Sequence, residues 1–163
     1  MYIPFHQLSD AARIWIYQAS RPLEREEKEA MLQKIQAFLE QWASHGHPLQ
    51  CGVAILYDQF LILAVEERLQ GATGCAVDAS VQFISELEQI FQVGLLDRTH
   101  IAFRRGEDHC LVPWDQLKAK IRQGTIVADM LTFDNTITKK GELTNKWLVR
   151  AGDSWLSKYF DKP

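Results

Sequence analysis

Two apolar runs, Cys51–Tyr57 and Phe60–Val65, stand two residues apart, and almost no position in either is polar. The intervening Asp58-Gln59 has the length of a tight hairpin loop. A strand with one wet face alternates apolar and polar residues, whereas a strand apolar throughout needs cover on both faces. An uncovered apolar sheet is an aggregation hazard, so the hairpin demands a layer on each side. Helices supply one layer. The second has to come from the C-terminal third of the chain or from a second copy, which is the ground for expecting a homodimer.

The flanking segments predict those helices. Arg13-Ile14-Trp15-Ile16-Tyr17 reads as a first strand, ended by Ser20-Arg21-Pro22. Met31, Ile35, Phe38, Leu39 and Trp42 fall at helical spacing behind Glu24, Glu26 and Glu27, which suit a positive helix start, and His45-Gly46-His47-Pro48 stops the helix. Val81, Phe83, Ile84, Leu87, Ile90 and Phe91 mark a second amphipathic helix, with Asp78 or Ser80 as its expected N-cap and Gly94 as its end. Thr99–Phe103 reads as a fourth strand, Arg104–Asp108 as a turn, and His109–Val112 as its partner strand. The order strand, helix, strand, strand, helix, strand predicts an α+β fold with a ferredoxin-like split βαβ core over 1–112.

Residues 113–163 are expected to form a packed C-terminal α/β extension of the same single domain. Pro113–Arg122 resembles a short helix closed by Gly124, and Lys139-Lys140-Gly141-Glu142 a turn between two short strands. Phe133, Trp147, Trp155, Tyr159 and Phe160 anchor this tail, because a loose segment does not carry so many large apolar groups. No repeat or low-complexity linker divides the chain, and 163 residues fit one domain.

Composition excludes several classes. With 18 Lys and Arg against 21 Asp and Glu, a net charge of -3, the chain as a whole does not attract phosphate backbones or anionic membranes. The densest basic positions are Arg104, Arg105, Lys118, Lys120 and Arg122, with a sparser group at Lys139, Lys140, Lys146 and Arg150. The apolar run from Val53 to Val65 is broken by Asp58-Gln59 and is too short to span a bilayer. The first residues lack the basic head and apolar run of a secretory signal, and three cysteines with no CxxC spacing suit reduced thiols, so a cytoplasmic location is expected.

Chemistry-bearing residues crowd at Gly71-Ala72-Thr73-Gly74-Cys75-Ala76-Val77-Asp78-Ala79-Ser80, between hairpin and second helix. A glycine-rich turn feeding a helix start presents unpaired N–H groups that can hold an anion or favour a thiolate. Gly71, Thr73, Gly74, Cys75, Asp78 and Ser80 are therefore the candidate ligand-binding residues. Cys75, with Asp78, Ser80 and His45 in support, is the weak candidate for thiol catalysis or redox sensing. The competing readings are a turn and helix cap for the glycines and a small buried side chain for Cys75. His45 and His47 lack further ligands at a metal-binding spacing, so no metal or other cofactor is expected. Neither G-x-G-x-x-G nor a Walker-type loop with its lysine occurs, which excludes P-loop ATP hydrolysis.

Tyr2-Ile3-Pro4-Phe5, the Arg13–Ala19 strand, Trp42 with His45-Gly46, Gly74-Cys75 with Asp78-Ala79-Ser80, Leu95-Leu96-Asp97-Arg98 and Gly141-Glu142-Leu143 together resemble a small uncharacterised bacterial family often labelled ABC transporter ATPase. An ABC ATPase needs the phosphate-cradling loop and lysine that this chain lacks, so the resemblance implies a compact cytoplasmic protein without assigning catalytic residues. Three functions follow as expectations: a module binding a small anionic ligand or a protein partner, a thiol-dependent enzyme or redox sensor using Cys75, and an RNA-associated module. The acidic balance weighs against the last, and whether the protein is an enzyme stays open.

Overall fold

A computed structural model describes residues 1–160. The chain divides into two compact units, one of residues 1–97 with the short segment 138–141, the other of the remaining C-terminal residues. Along the chain the first unit gives way to the second after Asp97.

The first unit contains β1 (Arg13–Gln18), α1 (Arg25–Gln41), a small hairpin of β2 (Ala43–Ser44) and β3 (His47–Pro48), then β4 (Cys51–Leu56), β5 (Phe60–Val65) and α2 (Gly74–Phe91). Its sheet has the order β1-β5-β4, antiparallel throughout. Glu27 fixes the start of α1: its carboxylate accepts from the Glu24 N–H at 3.0 Å and takes two 2.8 Å hydrogen bonds from the Arg21 guanidinium. Met31, Ile35 and Leu39 of α1, with Ile84 and Leu87 of α2, pack on the face carrying Cys51, Val53, Leu61, Leu63 and Val65. The opposite face of β5 carries Phe60, Ile62 and Ala64, and these too are completely buried within the single chain. Both faces of β5 are therefore covered, while Ala54, Ile55 and Leu56 of β4 are half-buried.

The hairpin loop spans residues 57–59, one residue longer than expected. Tyr57 and Asp58 adopt left-handed φ of 54° and 56°, and the Gln59 N–H donates to the Leu56 carbonyl. Gln59 is instead buried, its Nε2 donating to the Ala19 carbonyl at 3.0 Å, while Lys28 pairs with the Asp58 carboxylate.

The sheet departs from the expected topology at its fourth strand. The order β1-β5-β4 with α1 as a crossover is the split βαβ arrangement, but β6 (His100–Arg105) belongs to the second unit's sheet. The edge of β1 is met by the 138–141 segment: Ile14 N–H donates to the Thr138 carbonyl and Lys140 N–H to the Ala12 carbonyl. The complete ferredoxin-like sheet is thus not formed. The Lys139–Glu142 stretch, expected to be a turn, is an edge strap that runs into a 3-10 helix at Lys140–Thr144. Strand patterning alone cannot say which sheet a strand enters, and β6 has a stronger local partner in β7 (Asp108–Pro113), paired with it along six positions.

The second unit adds α3 (Leu117–Arg122), β8 (Leu131–Phe133) and β9 (Leu148–Arg150), in a sheet ordered β7-β6-β8-β9. Its core gathers Phe103, Val112, Leu117, Ile126, Met130, Ala151 and Leu156. Trp147 is buried with its indole N–H donating to Asn135 Oδ1 at 2.9 Å, and Thr132 Oγ1 donates to the Ala102 carbonyl at 2.8 Å. No helix among the described residues is long and apolar enough to cross a membrane.

Candidate functional site

The Gly71–Ser80 segment is the capped start of α2. Thr73 is the N-cap, its Oγ1 accepting from the Ala76 N–H at 3.3 Å, and its own N–H donates to Ser44 Oγ. This corrects the expected cap at Asp78 or Ser80, which both lie inside the helix. The helix begins at Gly74, about two turns before Val81, the first large apolar residue of the periodic pattern, which leaves Asp78 and Ser80 inside it. Cys75 is exposed in the first turn, so the expectation of a small buried thiol is corrected as well. Among the described residues no side chain hydrogen-bonds its sulfur.

The other residues of the segment do not converge. Ser80 is buried, its hydroxyl donating to the Val77 carbonyl at 2.6 Å, while Asp78 faces solvent. A Cβ placed on Gly74 would meet nothing within 4 Å, so the helix start opens on free space instead of a walled hollow. Gly71 lies near the Glu67 carboxyl. His45, expected as a supporting group, is exposed at the β2–β3 turn with φ of 51° beside Gly46 at 78°, a left-handed pair that makes a two-residue hairpin loop. His47 is exposed on β3, and among the described residues no group of three or more His, Cys, Asp or Glu side chains is placed to hold a metal.

A walled site occurs in the second unit. A cleft of about 790 Å³ is lined by Lys118, Ile121 and Arg122 of α3, by Ile126–Ala128, and by Lys158, Tyr159 and Phe160. Local hydrogen bonding builds each wall. Gly124, with φ of 75°, ends α3 and lets the N–H groups of Thr125 and Ile126 turn back onto the Lys120 carbonyl. Ile126, 1% exposed, then plugs the core beneath the cleft. The Ala128 carbonyl accepts from the Gly152 N–H at 2.9 Å, an approach so close that a Cβ on Gly152 would sit 2.9 Å from the Ala128 Cβ. On the far wall, Ser154 Oγ donates to the Ala151 carbonyl and accepts from the Leu156 N–H, setting up the 3-10 turn Ser157–Tyr159 above the buried Leu156.

Electrostatically the cleft is one-sided. Lys118, Arg122 and Lys158 line it, and no salt bridge involves any of them among the described residues. Arg150, by contrast, is paired with Asp129, and Lys146 with Glu142. Three unpaired cations around Ile121, Ile126 and Val127 concentrate positive potential over an apolar surface, which favours an anion attached to an apolar body.

Sequence reasoning marked the Lys118–Arg122 cluster and the Tyr159-Phe160 anchors separately and did not bring them together. The legible signal was spacing: Lys118 and Arg122 stand four residues apart and share a helix face, while Lys158 sits immediately before two aromatic residues. No family model matches this chain, and no curated protein or solved structure matches it.

Proposed function

We propose that this protein is a binding module for a small anionic ligand with an apolar body, held in the cleft of its C-terminal unit. The single observation that carries the reading is the convergence of Lys118, Arg122 and Lys158, unpaired with any carboxylate among the described residues, on a cleft with Ile126 beneath it. The ligand's charge meets the three cations while its apolar part displaces water from Ile121, Val127 and Phe160. This keeps the anion-binding function expected from the sequence and moves it from the Gly71–Ser80 turn.

The test compares two fluorescent probes with the same aromatic body: 8-anilinonaphthalene-1-sulfonate, which is anionic, and uncharged N-phenyl-1-naphthylamine. The sulfonate is expected to bind at least about tenfold more tightly, a gap of about 1.4 kcal/mol. The variants Lys118→Ala and Arg122→Ala are each expected to reduce that preference without loss of folded circular dichroism. Equal binding of the two probes, or a sulfonate affinity untouched in the double variant, overturns the reading.

A further inference from the structure

We infer that the ligand class of this cleft is a nucleoside phosphate, its base stacking on an aromatic wall formed by Trp114, Trp155 and Tyr159. The inference rests on the anion-binding reading above and adds the planar partner that the reading leaves open. Trp114 and Trp155 stack on each other with ring centroids 5.2 Å apart, yet they remain 45% and 47% exposed. Half-open indoles already in contact form a preassembled π surface that a planar ring can extend with little loss of side-chain freedom.

This surface adjoins the cations through named contacts. Tyr159, which lines the cleft, meets Trp114 edge-on at 5.8 Å, and the Lys158 ammonium lies 5.3 Å from the centre of the Tyr159 ring. The sequence repeats the pairing on both walls. Trp114, Lys118 and Arg122 follow one another at four-residue intervals along the 3-10 and α3 turns, and Trp155 precedes Lys158 and Tyr159 by three and four residues. Each wall therefore presents an aromatic ring one turn away from a cation, the arrangement that a base and its phosphate require.

Charge complementarity points to a single nucleotide in preference to a strand. Among the described residues three cations without a carboxylate partner line the cleft, enough for one phosphate or diphosphate group. Three other arginines of this unit, Arg104, Arg105 and Arg150, are engaged elsewhere. Arg104 Nε donates to the Gly106 carbonyl at 2.7 Å, Arg105 reaches the Thr125 carbonyl, and Arg150 is bound to Asp129. A strand binder needs a row of cations following successive phosphates.

Isothermal titration with ADP, adenosine, inorganic pyrophosphate and a ten-residue oligoadenylate separates the outcomes, with tryptophan fluorescence as a second readout. ADP is expected to bind and quench, with adenosine and pyrophosphate each at least about tenfold weaker because each lacks one half of the recognition. Trp155→Ala is expected to weaken ADP about tenfold while Trp155→Phe, which keeps a ring to stack on, retains most of the affinity. Pyrophosphate binding as tightly as ADP, or ADP affinity unaffected in Trp155→Ala, overturns the inference. So does an oligoadenylate that binds more than about tenfold tighter than ADP, which assigns the surface to single strands. If ADP fails while the sulfonate probe keeps its Arg122-dependent advantage, the nucleotide inference alone falls. Failure of both removes the anion-binding reading with it.

Discussion

Replacing Gly52 with alanine tests how the N-terminal segment closes the edge of β4. Gly52 lies within β4 opposite Ala64, and its φ is not left-handed, so the backbone itself would tolerate a side chain. The obstacle is contact. A Cβ there would stand 2.6 Å from the Ile3 carbonyl oxygen, 2.9 Å from Leu8 Cδ1 and 3.4 Å from Phe5 Cα. Two of the three atoms are backbone, and the Ile3 backbone is held by an N–H donated to the Cys51 carbonyl at 2.7 Å. Relief requires Ile3–Leu8 to move as a unit, and overpacking of this kind costs about 1–3 kcal/mol, which lowers Tm by about 2–12 °C in a chain of this size. The control is Gly74→Ala, where the new methyl meets nothing within 4 Å at a helix start and alanine's higher helix propensity is worth up to about 1 kcal/mol of stabilisation. Urea unfolding of both variants reads the difference. A Gly52→Ala stability within about 0.5 kcal/mol of the parent, or a Gly74→Ala variant that loses as much as Gly52→Ala, refutes the reasoning from contact distance.

Thr73→Ala, removing the hydroxyl that caps α2, is expected to cost about 1 kcal/mol in urea unfolding, with Asp78→Ala close to neutral. Of the three thiols, Cys75 and Cys110 should react promptly with a disulfide reagent at pH 8, while Cys51 reacts only on unfolding, because it is fully buried and that burial pushes its pKa up to about 11. Glu27 and Glu66 are both held down to about pH 2, Glu27 chiefly by the Arg21 hydrogen bonds and Glu66 chiefly by those of Arg68. A depressed carboxylate stabilises the fold fully above its ordinary value near 4.5 and ceases to do so as pH falls towards 2, so stability should decline across that window. Glu27→Gln should flatten part of this decline and cost about 1 kcal/mol at pH 7, as followed by acid titration of circular dichroism.

The elements most legible from sequence were those whose periodicity is set by burial on a nearby partner. The strands β4 and β5, α1 and the body of α2 fall where their apolar spacing places them, because each packs against the others within the first 97 residues. Misplaced features depended on a choice between competing partners. Thr73, Asp78 and Ser80 are all competent caps by residue type, and only the start of α2 at Gly74, ahead of its apolar pattern, selects Thr73. Strand β6 satisfies the pattern of a fourth ferredoxin-like strand, yet its edge is taken by β7, while residues 138–141 arrive from far along the chain to occupy the edge of β1. Local patterning carries no term for such a distant competitor.

The same limitation hid the cleft, for an electrostatic reason. The net charge of -3 argues against attraction of anions only if charge is spread evenly, and it is not. The first unit holds 8 Lys and Arg against 13 Asp and Glu, a net of -5, whereas the second holds 10 against 8, a net of +2. Within the second unit Asp129 and Asp153 flank Arg150, and Glu142 pairs with Lys146, which removes carboxylates from the neighbourhood of the remaining cations. Lys118, Arg122 and Lys158 are then left lining a cleft beside Ile121, Ile126 and Val127, so the chain's excess of acid resides in the first unit and the proposed anion site in the second. With screening over about 8 Å at physiological ionic strength, the proposed anion site is to be judged by the cations that line it and not by the total charge.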